Sequence, residues 1–185
     1  MLPSLFISHG SPMLALESGT SGAALAGLAA RFPRPRAVLV QSAHWESSEL
    51  LVGSSAHPAT WHDFHGFAPQ LYELEYPAAG DPQLAADIAA RLNAAGLETR
   101  LDAQRPRDHG AWVPLALLYP AADIPVLQIS LPTQRGAAFQ QGVGQALAGL
   151  RAEGVLLIGS GSITHNLGQL DWHASPQSVA PWAQT

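Results

Sequence analysis

Residues 124–160 read IPVLQISLPTQRGAAFQQGVGQALAGLRAEGVLLIGS, and this stretch decides the fold. Ile124 to Leu131 is a short apolar run of strand length. Phe139, Val143, Leu147 and Leu150 then recur at helical spacing, so one apolar face belongs to a helix that stops before Gly154. Val155 to Ser160 is a second strand. A strand, a helix and a strand in this order imply parallel strands joined by a right-handed crossover. The expected class is α/β with a mostly parallel sheet.

Working outward, Ala37 to Ala43 (AVLVQSA) has the continuous apolar character of a buried strand. Leu2 to Ser8 is another strand, closed by the turn residues His9-Gly10-Ser11-Pro12. Gly22 to Phe32 is Ala- and Leu-rich and stops at Pro33, as a helix does. Leu50–Gly53 and Thr99–Ala103 are short strands. Asp81-Pro82 opens an amphipathic helix carrying Leu84, Ile88 and Leu92, which ends at Gly96. Trp112 to Tyr119 is a short helix opened by the Asp108-His109-Gly110 turn. Residues 54–80 lack a period and are read as a loop over a site. From Gly168 onward the structural signals are weak.

A length of 185 residues suits one domain, and 47% hydrophobic against 12% charged residues suits a well-buried core. The net charge is −5 and the 9 basic residues, all Arg, are scattered, which argues against a nucleic-acid surface. Cysteine is absent, so disulfides and thiolate metal sites are excluded and any metal must use His and oxygen ligands. No signal-peptide pattern and no apolar run of membrane-spanning length stands in the sequence, so a cytoplasmic protein without membrane contact is expected.

Four histidines carry the functional reading. His9 follows the first strand, His44 the second, and His165 the last, after Gly159-Ser160-Gly161. Open α/β sheets bind ligands outside the carboxyl ends of their strands, so parallel strands would bring these three imidazoles to one edge. His109 lies in a loop that can fold over them. A single histidine at a strand end is commonly a structural hydrogen-bonding group. Three at equivalent positions point to a metal or acid–base site. His62, in Trp61-His62-Asp63-Phe64-His65, is expected to line a pocket, whereas His65, His57 and His173 are expected to be bland or surface groups. Asp108 either orients a neighbour or serves the turn conformation. Gly159-Ser160-Gly161-Ser162 fits neither a phosphate loop nor a nucleophile elbow and is read as a sharp bend before His165.

Phe6 to Met13 (FISHGSPM), Val40 to Trp45 (VQSAHW), His62-Asp63-Phe64 with Gly66-Phe67, Tyr76-Pro77, Asp108-His109-Gly110 with Trp112, Ile124-Pro125-Val126, and Gly161 through His165-Asn166-Leu167 form an ordered set. Trp172-His173 and Pro181-Trp182-Ala183 extend it. Together they resemble the class III, LigB-like extradiol ring-cleavage dioxygenases, in the DOPA 4,5-dioxygenase-like branch. The resemblance runs nearly from end to end and implies a single three-layer domain. It implies His9 and His44 as metal ligands, His165 as acid–base catalyst or additional ligand, and His109 as a contact to substrate or oxygen. One Fe(II) or Zn(II) per chain is implied. Family members normally continue past the Pro-Trp-Ala segment into a region that supplies a further metal ligand and a strand. The expectation is therefore a domain over 1–185 without that segment, whose exposed sheet edge would favour a homodimer.

The implied reaction opens a catechol ring with O2 beside the two hydroxyls at a non-haem metal, His165 moving protons and His109 hydrogen-bonding the substrate. Two other readings stay open: a metal-binding but inactive member of the family, and a zinc-dependent hydrolase.

Overall fold

Successive residues of a strand point to opposite faces of a sheet, so the uninterrupted burial of Ala37, Val38, Leu39 and Val40 requires cover on both sides. The computed structural model, which describes residues 1–162 and Gly168, supplies that cover. Strand β2 (Ala37–Glu46) lies inside a six-stranded sheet with β1 (Ser4–Ser8), β3 (Leu50–Gly53), β4 (Thr99–Asp102), β5 (Val126–Leu131) and β6 (Val155–Gly161). The order is β1-β6-β2-β5-β3-β4. β1, β6, β2 and β5 are mutually parallel, while β3 meets β5 antiparallel and carries β4 parallel to itself.

Val38, Val40, Val126, Leu156 and Ile158 face one core with Trp112, Leu115 and Leu118. These last residues belong to α3 (His109–Leu118), beside which α1 (Gly19–Leu28) also packs. Ala37, Leu39, Leu127, Ile129 and Val155 face the other core. There they meet Leu84, Ile88 and Leu92 of α2 (Pro82–Ala94) and Val143 and Leu147 of α4 (Gly136–Leu147). The three layers are thus helices, sheet and helices, as the family resemblance implied.

Helix α2 shows why these segments fold locally. Asp81 accepts the Leu84 backbone N–H at 2.9 Å, and Pro82 in the first turn has no N–H to leave unpaired. Leu84, Ile88 and Leu92 each gain roughly 1.5–3 kcal/mol from burial. Gly96, at φ +77°, ends the segment in the left-handed conformation that glycine adopts freely.

Several boundaries differ from expectation. The strand at Leu2 begins at Ser4, and the first helix begins at Gly19, closing in a 3-10 turn at Ala29–Arg31. β2 runs on to Glu46, so His44 lies within the strand rather than after it. α3 starts at His109 rather than Trp112; it is buried almost all round, which hides its period from the sequence. Gly159 to Gly161 is not a bend but the end of β6, paired with both β1 and β2. A Cβ on Gly159 would stand 3.4 Å from Phe6 and one on Gly161 3.5 Å from Ala43, both ordinary contact distances, so crowding does not require glycine there.

The loop over 54–80 contains one 3-10 turn, Pro69–Glu73. Buried Arg107 ties it to the sheet by donating to the carbonyls of Tyr76 (3.0 Å), Ala78 (3.0 Å) and Val126 (3.2 Å). No helix among the described residues is long and apolar enough to cross a membrane.

Candidate metal centre

Because β1, β2 and β6 are parallel, their carboxyl ends share one sheet edge, and the site is built there. His9 directly follows β1 and is 4% exposed. His44 sits where the β2–β5 ladder breaks. Gln41 pairs with Ile129 and Glu46 with Leu131, so Ser42 to Trp45 stand opposite Ser130 alone. Such an irregularity re-aims side chains, and here it turns His44 toward His9. The two Nε2 atoms are 3.0 Å apart.

His109 enters from the start of α3. Its ring centroid lies 4.0 Å from that of His44 and 5.3 Å from that of His9. The three histidines offer ligand atoms that all lie within 4.8 Å of one another. Gly110 makes this approach feasible. A Cβ there would strike the Ser42 hydroxyl and stand 2.9 Å from the His44 ring and 3.1 Å from the His9 ring.

A second layer of polar groups holds the rings. Asp63, from the 54–80 loop, accepts both the backbone N–H and the ring Nδ1–H of His109, each at 2.9 Å. Its other oxygen lies 3.8 Å from His44 Nδ1. Burial alone would raise the Asp63 pKa, but the hydrogen bonds and charge of His109 outweigh it and hold the carboxyl below its ordinary value. The ionised Asp63 therefore fixes the Nδ1–H form of His109 and leaves the lone pair on its Nε2.

Asp108 is fully buried and makes no helix cap. It accepts instead from Ser42 (2.6 Å), Gln128 (2.8 Å) and Arg105 (3.1 Å). Of the two readings weighed for Asp108, the structure supports the orienting one. Ser42 also accepts the His44 backbone N–H at 3.2 Å, and Arg105 donates to the His44 carbonyl at 3.0 Å. The guanidinium lies over both Trp45 and Trp61, 5.0 and 4.7 Å from their ring centroids.

The residues present fit a metal ion. Two nitrogens bound to one ion at ~2.0–2.1 Å stand roughly 2.9–3.4 Å apart for right-angled to tetrahedral geometry. The His9–His44 spacing of 3.0 Å falls in that window. Carboxylate support behind a histidine is the usual partner of metal-site imidazoles.

His62 stands apart from the trio. Its Nε2 donates to the Leu74 carbonyl at 3.0 Å, and its ring packs against Phe64, Tyr72 and Trp112. Phe64 in turn meets the His109 ring edge-on at 5.6 Å, so an aromatic wall begins beside the trio. His57 and His65 are exposed. His165 and His173 lie outside the described residues. Sequence reasoning assigned no role to Asp63, Ser42, Gln128, Arg105 or Ser160. The available signals were an Asp between histidine and aromatic residues, and polar residues interrupting otherwise apolar strands.

Comparison with known proteins gives the family. Residues 3–177 match the family described as the catalytic LigB subunit of aromatic ring-opening dioxygenase. A protein of Escherichia coli K12 named 4,5-DOPA dioxygenase extradiol is 41% identical over 183 residues, covering 98% of this chain and 66% of its own length. A Beta vulgaris protein of the same name is 43% identical over 185 residues, covering 96% of this chain and 67% of its own. This chain thus spans about two thirds of those relatives. The crystal structure of an uncharacterized protein from Escherichia coli K12 superposes with a TM-score of 0.82 at 37% identity, covering 100% of this chain and 69% of that one. The motifs, the three-layer sheet and the match over most of its length agree that the chain belongs to the LigB family of catalytic subunits of aromatic ring-opening dioxygenases.

Proposed function

We propose that this chain is an extradiol dioxygenase acting on a catechol-type substrate with O2 at one non-haem metal ion. The observation that carries the reading is the convergence of His9, His44 and His109 at one sheet edge. The names of the relatives support the chemistry. In the reaction, a ring C–C bond next to the diol breaks and both atoms of O2 enter the product. The catechol supplies the electrons, so no other reductant is needed.

His9 and His44 hold the ion. Ferrous iron, when bound, supplies the redox chemistry between catechol and O2; zinc has no redox chemistry, and so occupies the site without turnover. His109, its Nδ1–H held by Asp63, presents the Nε2 lone pair to the substrate and accepts the hydrogen bond of a catechol hydroxyl. His165, matching the family's acid–base histidine, takes a proton from the catechol and later returns one. His62 contributes its ring to the aromatic wall that receives the substrate ring.

The test is oxygen uptake by anaerobically Fe(II)-loaded protein on a panel of catechols, alongside His44→Ala and His109→Ala. His44→Ala is expected to lose metal affinity by at least ~10-fold. His109→Ala is expected to keep the metal and lose about 10²–10⁴-fold in turnover. Metal binding with no oxygen uptake on any catechol would instead favour a binding-only protein. Zinc-dependent ester hydrolysis without oxygen uptake would favour a hydrolase.

A further inference from the structure

An α-helix pairs each backbone N–H with the carbonyl four residues back. Pro114 lies inside α3 and has no N–H, so the carbonyl of Gly110 lacks its helical partner. That carbonyl faces the sheet edge, where it receives the hydroxyl of Ser160, a 3% exposed residue near the end of β6. A carbonyl holds no hydrogen, so Ser160 is the donor in this bond.

A serine hydroxyl has one hydrogen. With that hydrogen committed to Gly110, the Ser160 oxygen can meet His9 Nδ1, 2.9 Å away, only as an acceptor. His9 must then carry its ring proton on Nδ1. A neutral imidazole protonated there has its lone pair on Nε2, the atom 3.0 Å from His44 Nε2.

We infer that Pro114, Gly110 and Ser160 form a positioning relay that holds His9 in its Nδ1–H tautomer, with the Nε2 lone pair aimed at the ion position before any ion arrives. The inference rests on the metal reading above and adds to it the origin of the ligand's readiness. Each step has a distinct cause. Proline withholds a donor inside a helix, the vacant carbonyl captures a strand hydroxyl, and the hydroxyl leaves the histidine one tautomer. Ser160 touches neither substrate nor ion and acts through His9.

The test uses the full chain, labelled with 15N-histidine, metal-free at a pH where His9 is neutral. His9 is assigned by the signal lost in His9→Asn. The expected result is a proton on Nδ1 of His9 in the unsubstituted protein. Ser160→Ala is expected to lose that preference and to weaken Zn(II) binding by about 10–100-fold, with circular dichroism and melting little changed. Ser160→Thr, which keeps the hydroxyl, is expected to restore both. An Nε2–H tautomer in the unsubstituted protein overturns the relay, and so does Ser160→Ala with unchanged tautomer and zinc affinity. If Ser160→Ala does not fold, the tautomer of the unsubstituted protein decides alone. Failure of that protein to bind Zn(II) or Fe(II) overturns the metal reading, while the tautomer still reports on the relay.

Discussion

One carboxylate oxygen of Asp63 accepts both the backbone N–H and the ring Nδ1–H of His109, each at 2.9 Å. A loop residue thereby sets both where α3 begins and which way its first side chain faces. The Asp63 side chain is only 8% exposed, so little water competes for either bond.

Asp63→Asn is expected to keep an oxygen acceptor but lose the charge that favours Nδ1–H on His109. Turnover with catechol should fall about 10–100-fold, by the measure of such supporting groups elsewhere. Asp63→Ala leaves a buried N–H unpaired as well and should cost about 1–3 kcal/mol of stability. Steady-state oxygen uptake and thermal melting separate the two effects. Unsubstituted turnover in Asp63→Asn would show that His109 needs no carboxylate behind it.

Gly110→Ala puts a methyl against the Ser42 hydroxyl, 2.9 Å from the His44 ring and 3.1 Å from the His9 ring. None of the three can retreat without losing a hydrogen bond or the Nε2–Nε2 approach. Stability should fall by about 1–3 kcal/mol, and metal affinity should fall with it. Zinc titration followed by calorimetry, paired with chemical denaturation, checks both.

Arg105→Lys tests the stacked guanidinium. Lysine keeps the charge but cannot lie flat on Trp45 and Trp61 or reach the His44 carbonyl and Asp108 with one planar fork. A loss of roughly 1–2 kcal/mol is expected, with a shift in tryptophan fluorescence. No change in either would mean that the sandwich adds nothing to stability.

Tyr76 supplies a pH signature. Its hydroxyl donates to the Tyr119 carbonyl at 3.1 Å, and burial raises its pKa from 10.0 to about 12, against an opposing pull from Arg107. The folded chain therefore holds this proton more tightly than the unfolded chain. Its contribution to stability is whole below about pH 10 and is lost as pH rises through about 12, with a slope of up to ~1.4 kcal/mol per pH unit between. Denaturation midpoints from pH 9 to 11.5 should fall less steeply in Tyr76→Phe. Tyr119, also raised by burial, retains part of the slope. Identical slopes in the two proteins would mean that Tyr76 ionises as readily folded as unfolded.

Much of the fold was legible in the residue pattern. Leu84, Ile88 and Leu92 disclosed α2, with Asp81 and Gly96 marking its ends, because periodicity and capping are local properties. The run at Ala37–Val40 disclosed a strand buried on both faces. The start of α3 is hidden in the sequence because a helix buried on nearly every side has no polar face to reveal it. Gly159-Ser160-Gly161 reads as a bend because glycine marks turns more often than it marks strand ends.

The sequence by itself determined the kinds of elements, the mostly parallel class and the place of His9 directly after the first strand. Each of these follows from spacing along the chain. Only the tertiary structure decided that His44 swings out of an irregular ladder to stand 3.0 Å from His9, and that Asp63 grips His109 from 46 residues away. It alone decided that Ser160 meets a carbonyl left vacant by Pro114. Those contacts depend on strand register and on how a loop closes over the sheet, and both are settled by non-local packing rather than by local pattern.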